Sequence, residues 1–311
     1  MLSHWRWQLK RLARKLWVRA TLFSLVAIAT SLASIYLAPL VPDSLSDIIG
    51  SDAVDSILTI LASSMLTVTT FSLTVMVTAY GAATTNATPR ATKLLIEDTT
   101  TQNALGTFLG SFLFSLVGII ALSTGLYGEK GRVILFAATL LVIVFIVVTF
   151  VRWIDYLSKL GRVGETIDRV ERSVTEAMTQ RLENPWLGGR ALPASLDAIK
   201  VAGAPVTCEA IGYVQHIDVS ALAECLGEHA SAYVTVLPGS FVGPHDVLAW
   251  LNGRRDEKTV ARARSAFTIA KDRSFDQDPR FGLIVLTEIA SRALSPGIND
   301  PGTAIDVIAS V

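Results

Sequence analysis

Four stretches, roughly 20–40, 56–82, 103–126 and 132–152, are apolar and nearly free of charge over about twenty residues each, enough to cross a bilayer as helices. In hydrocarbon a spanning segment must satisfy its own backbone, so four such runs dictate an α-helical membrane protein before any other feature is weighed. Charged residues make up only 17% of the chain, against about a quarter in soluble domains. Lys plus Arg and Asp plus Glu balance at 27 each. Overall charge therefore recruits no nucleic acid.

Where the charges lie sets the orientation. Residues 1–19 hold Arg6, Lys10, Arg11, Arg14, Lys15 and Arg19 without an acid, interleaved with Trp5, Trp7 and Trp17, the pattern of a basic amphipathic helix on an anionic leaflet. A cleaved secretory signal is the rival reading, but no clean small-x-small site precedes Pro39. The first loop carries Asp43, Asp47, Asp52 and Asp55 and no base. Arg90 and Lys93 follow the second span, and Arg152, Lys159 and Arg162 follow the fourth. By the positive-inside rule both termini are cytoplasmic, and the lipid bilayer is the first partner.

The chain divides into the interfacial helix 1–19, a four-span domain 20–155, a helical stalk 156–184, a small β-rich subdomain 190–255 and an α/β segment 256–311. In the stalk, Leu160, Val163, Ile167, Val170, Val174 and Ala177 form an a/d seam that either joins subunits, as a continuation of the fourth span, or packs on the soluble region. "NPWLGGRALPAS" is a linker by its Pro and Gly content. "GYVQHIDVSAL" and "SAYVTVLPGSFVGPHDVLAWL" read as short strands with turns at Pro238-Gly239 and Gly243-Pro244, suggesting a compact β-barrel or sandwich-hybrid-like subdomain. A strand "SAFTIA", an acidic turn "SFDQDP", a helix "RFGLIVLTEIASRAL" and the breaker "SPGINDPG" follow, and the last helix, "TAIDVIASV", looks truncated. Within the third span Gly106 and Gly110 are four apart, the spacing that lets helices approach closely. "TPRATKLLIEDTTTQN" reads as a short interfacial helix started by Pro89.

The hydroxyl-rich second span running into "TPR", the "LGTF" opening of the third, "GYVQHID", "VLPGSFV", "FTIA...DQDPRFGL" and above all "RALSPGINDPGTA" resemble a bacterial family of predicted membrane proteins, domain of unknown function 2254. The likeness covers about residues 55–311. It implies four spans plus a cytosolic α/β region in the bacterial plasma membrane, with members usually extending past the last motif, and it supplies no activity. Ser295, Pro296, Gly297, Asn299, Asp300 and Pro301 form its turn motif here. The "VLPGSFVGPHDVLAWL" stretch is also similar in shape to the hairpin of biotinyl or lipoyl carrier domains, without the lysine those carry at the tip.

Chemistry is sparse. His216, His229 and His245 lack a ligand partner at i, i+4, and Cys208 and Cys225 have no metal or disulfide motif, so no metal and no cofactor is expected. "GRVGET" has no Walker lysine and no G-x-S-x-G occurs. In "SPGIND" the polar groups are expected to satisfy their own backbone. No acid or base lies in any span core, which argues against proton-coupled transport. The chain reads as a non-enzyme.

The second span is different. At 100° per residue, Ser56, Thr59, Ser63, Thr67, Thr70, Thr74, Thr78 and Thr85 share an arc of about 100°, opposite Leu58, Leu61, Met65, Val68, Val75, Met76 and Ala79. The stripe runs roughly 40 Å. Such hydroxyls either bond their own helix and pack tightly, or line an aqueous path when copies assemble, with Asp52 and Asp55 at the outer mouth and Arg90 and Lys93 at the inner. The expectation is a homo-oligomeric passive channel for ions or small solutes. The alternative is a non-conducting scaffold whose cytosolic domain binds an unidentified partner or ligand.

Overall fold

The computed structural model describes residues 16–37, 51–96, 98–125, 129–193, 195, 203–227, 230–253 and 256–311. They fall into two compact units, one of Arg11–Thr85 with Thr92–Glu165 and one that gathers Asn86–Ala91 with Thr166–Val311. The predicted interfacial helix 1–19 lies almost wholly outside the described residues.

The first unit is helical: α1 (Leu16–Leu37), α2 (Ser51–Asn86), α3 (Pro89–Ile96, whose first three residues belong to the second unit), α4 (Thr99–Ser123) and α5 (Glu129–Lys159). Among the described residues three helices are long and apolar enough to cross a membrane, over Ala53–Asn86, Thr99–Ser123 and Lys130–Lys159. Four were expected. The predicted first span coincides with α1, but its apolar stretch among these residues is Ala20–Thr30, about 16 Å at 1.5 Å per residue, or half the hydrocarbon thickness. Residues 38–40 lie outside the described part. α1 packs along α4 and touches α5.

Two apolar layers join these helices. Val54 and Leu58 of α2 meet Phe114 and Ala121 of α4 and Leu135 of α5. Further along, Met65 meets Ala104, Phe108, Ile146 and Trp153. The Trp153 indole N–H donates to Ser72 Oγ at 2.9 Å, a buried bond between α5 and α2. Neither group has water available in a membrane, so each satisfies the other. Most of α5 turns outward, with Leu141, Val144, Phe145, Val147 and Val151 exposed, as a lipid-facing helix requires.

α5 does not continue into the next helix. Gly161 sits at φ 84°, a left-handed conformation that stops the helix, and α6 (Val163–Glu183) starts afresh. Its seam residues Ile167, Val170, Val174 and Ala177 are buried inside the second unit, where Val174 packs on Gly282. The expected choice between a subunit seam and packing on the soluble region is resolved toward packing, because α6 finds an apolar helix face within its own chain.

In the second unit the strands are β1 (Ala204–Thr207), β2 (Gly212–Ile217), β3 (Ser231–Val234), β4 (Phe241–Val242), β5 (Val247–Asn252) and β6 (Phe267–Ala270). They make two antiparallel three-stranded sheets, ordered β1-β5-β3 and β4-β2-β6. Among the described residues there is no closed barrel, which corrects the barrel expectation: with strands of two to six residues each sheet ends before it can curl onto itself. Both sheets share one core with α7 (Val219–Leu226) and α8 (Glu257–Ser265), centred on Val206, Val214, Leu248, Leu251 and Ala263. "VSAL", read as strand, is helix α7. The buried Asp218 carboxylate accepts from Ala221 N–H at 2.9 Å and nucleates the turn, an N-cap that overrides the alternating pattern. α9 (Pro279–Ala293) and α10 (Pro301–Ala309) pack against each other at the end of the chain.

Candidate functional site

All eight hydroxyl residues of the stripe, Ser56, Thr59, Ser63, Thr67, Thr70, Thr74, Thr78 and Thr85, are exposed on α2, and so is Gly81 between the last two. The opposite side of the helix supplies Val54, Leu58, Met65, Met76 and Ala83 to the interior, with Leu61 and Val68 partly covered. α2 therefore turns its apolar side to its own helices and leaves its hydroxyl side without an intramolecular neighbour. Ile60, Leu66, Phe71, Leu73 and Val77 are exposed as well, in keeping with contact to lipid.

Each hydroxyl from Ser63 onward is bonded to its own helix. Ser63, Thr67, Thr70, Thr74, Thr78 and Thr85 donate to the carbonyl four residues earlier at 2.9 to 3.1 Å. This uses the one proton of each group and leaves oxygen lone pairs facing outward. A helix so bonded is polar along one face at little cost in lipid. Ser72 departs from the stripe and is buried against Trp153; the wheel marked it as an exception but could not name its partner.

The expected mouths are unequal. Asp55 is exposed at the start of α2, whereas the side chain of Asp52 lies outside the described part. Arg90 and Lys93 are on α3, not on the stripe helix, and Arg90 Nη1 is paired with Glu288 Oε1 at 2.5 Å. Lys93 is partly covered. Gly106 and Gly110 both face Phe23 of α1: a Cβ on Gly106 would come 2.9 Å from the Phe23 ring, and one on Gly110 would come 3.2 Å from its backbone oxygen. The glycine pair thus serves a contact within the protomer.

The turn motif is a helix stop followed by a helix start. Ser295 Oγ donates to Arg292 O at 2.6 Å, and Asn299 N–H and Asp300 N–H donate to Ser295 O and Ala293 O, with Asn299 at φ 51°. Asp300 then caps α10, accepting from Thr303 N–H and Oγ1, and Pro301 takes the first helical position. The Thr303 hydroxyl, then its amide, hold the Asp300 carboxyl below its ordinary value of 3.8. Because the folded value is the lower one, the cap's contribution is present above the unfolded value and is lost as pH falls through the folded one. Amide exchange of Thr303 to Val307 should therefore speed up on acidification below about pH 4, and Asp300→Ala should remove that step. An unchanged step in the variant would reject the cap as its source.

Sequence reasoning missed the junction around Asp278. Arg273 Nε and Nη2 both donate to Asp278 Oδ2, at 2.8 and 2.6 Å, while Asp278 caps α9 through Phe281 N–H. Arg181 of α6 donates to Gln277 O, and Gln277 Oε1 accepts from Ile217 N–H of β2. Burial draws the Arg181 guanidinium down and Asp278 pushes it back, leaving it charged. Gly239, at φ 90°, lies over the carboxylate, where any Cβ would overlap Asp278 Oδ2. The signal was there in "VLPGSFV" and "DQDPRFGL", two motifs that meet only in three dimensions. Among the described residues no three His, Cys, Asp or Glu side chains gather as a metal site, and burial raises the Cys225 thiol.

No solved structure matches the chain. An uncharacterized protein of Mycobacterium bovis is 35% identical over 113 residues, covering 33% of this chain and 21% of that protein. An uncharacterized protein of Mycobacterium tuberculosis is 33% identical over 111 residues, with the same shares. The match thus spans about a fifth of the length of these relatives. A family model described as predicted membrane protein (domain of unknown function 2254) matches residues 13–311, nearly the whole chain, and with three membrane-length helices and an outward hydroxyl face in place, the chain belongs to that family.

Proposed function

We propose that the chain is the protomer of a homo-oligomeric, non-catalytic passive channel of the bacterial plasma membrane, in which α2 helices from several copies surround a path for ions or small solutes. Both termini lie on the cytoplasmic side in this reading, following the Arg and Lys excess after the second and fourth apolar runs. One observation carries it: the hydroxyl face is exposed on the protomer for its whole length while the rest of α2 is packed or lipid-compatible. A ring of such faces is wet but uncharged at mid-depth, so it hydrates a permeant without holding it. Since the protons are engaged with carbonyls and the free lone pairs point out, the path prefers cations modestly, and Asp55 adds to that preference at its mouth.

The bonding of the hydroxyls to their own helix supports the second reading, a non-conducting scaffold in which these faces pack dry against one another. Cysteines placed at Ser63, Thr67, Thr70 and Thr74 separate the two. In reconstituted protein they should react with a membrane-impermeant thiol reagent, and cationic blockers should slow that reaction. Cysteines that cross-link between copies yet never react with the reagent would establish the dry interface and sink the channel.

A further inference from the structure

The last residue of α2 and the turn after it, Asn86–Ala91, belong to the second compact unit, together with α9. The contact that holds this turn is made by one carboxylate. Glu288, on α9, accepts from Thr88 Oγ1 at 3.1 Å through Oε2 and pairs with Arg90 Nη1 at 2.5 Å through Oε1. Thr88 is buried, whereas the side chains of Arg90 and Glu288 are 57% and 29% exposed. An ion pair this wet is weak and screened by salt, which suits a contact that opens and closes better than a permanent strut.

What the turn is fastened to is stiffer. Within the first unit, Tyr80 Oη donates to Leu95 O at 3.1 Å, and the Thr84 and Thr92 hydroxyls share a bond of 2.9 Å. Ala83, Ala87, Ala91 and Leu95 are buried along the same seam. The end of α2 and helix α3 are thus pinned into one hairpin, with Thr78, Gly81 and Thr85 on its outer face. A displacement applied at Thr88 and Arg90 moves that end of the hydroxyl stripe as a piece.

We infer that Glu288 is a latch: its hold on Thr88 and Arg90 sets the position of the inner end of the α2 stripe, and its release changes the opening of the path. This inference rests on the channel reading for its functional consequence, but the latch itself is a structural statement. It also assigns Arg90 a role different from a pore mouth, since its charge is directed at the second unit.

The test is a charge reversal in the full chain, reconstituted in liposomes, using Arg90→Glu and Glu288→Arg singly and together. Two readouts are taken on the same samples: efflux of trapped potassium, and amide hydrogen exchange across Asn86–Ile96. Each single reversal should raise exchange in that segment at least about fivefold and alter efflux, and the double reversal should restore both toward the parent. High salt should imitate the single reversals. Exchange that is unchanged in both singles, or that the double fails to restore, would overturn the latch. Absence of efflux in every sample, parent included, would overturn the channel while the exchange result still judged the latch. Exchange that responds and is rescued, with efflux constant and measurable throughout, would refute the regulatory role.

Discussion

Asp278→Ala should cost about 3–5 kcal/mol of stability in the second unit, the effect of stranding a buried charge. The carboxylate is 2% exposed, it receives two donors from Arg273, and it caps α9, so its removal leaves Arg273 buried in part without a counter-charge and the helix without its cap. Against a typical domain stability of about 5–15 kcal/mol, that loss decides whether the fold survives at 37 °C. The measurement is amide exchange in β2 and α9, which should rise together because Gln277 links Asp278's turn to Ile217. Replacing the pair at once, Arg273→Met with Asp278→Leu, should recover part of the loss but not the cap. Should Asp278→Ala alone leave exchange in both elements unchanged, the junction is ornamental to stability.

The second large effect concerns the packing of α1 on α4. Gly110→Leu should detach α1, since even a single Cβ at that position reaches the Phe23 backbone oxygen and no rotamer can move a backbone. Gly106→Ala should be milder, because the atom it meets belongs to a ring that can swing. We expect a difference of about 1–3 kcal/mol between alanine at the two positions, read from thermal unfolding in detergent micelles. The oligomeric state should be the same in both variants and the parent, since the contact lies within one protomer. Equal losses at Gly106 and Gly110, or a change in oligomer size, would contradict this account.

How far the sequence discloses this molecule depends on the range of each interaction. The hydroxyl stripe is legible because it lies on one helix with one period, and its exposed side in the structure is the side drawn on the wheel. Ser72 was visible as a departure from the stripe, but its bond to Trp153 spans 81 positions and no periodicity encodes it. Likewise the spacing of Gly106 and Gly110 announces a close helix contact, while Phe23 as its object does not follow from spacing. The second unit was harder. "GYVQHIDVSAL" alternates well enough to be a strand throughout, yet one buried cap at Asp218 turns its second half into α7. The α6 seam has the period of a coiled coil and a partner inside its own chain, because apolar periodicity identifies a buried face without saying what buries it. Arg90 was read as a pore mouth from its place after a span, and its ion pair with Glu288 is 198 residues away in sequence.

The back-bonded hydroxyls of α2 also bear on how the protein is made. A helix that already satisfies its polar groups can leave the translocon for lipid as a single copy, with no need to wait for a partner that would accept its protons. Synthesis and assembly are thereby uncoupled: each protomer can fold, pack α2 against α4 and α5, and diffuse in the plane of the membrane before its polar face ever meets another. The number of assembled copies is then governed by expression level and two-dimensional concentration, and a cell can hold a reserve of finished, separate subunits.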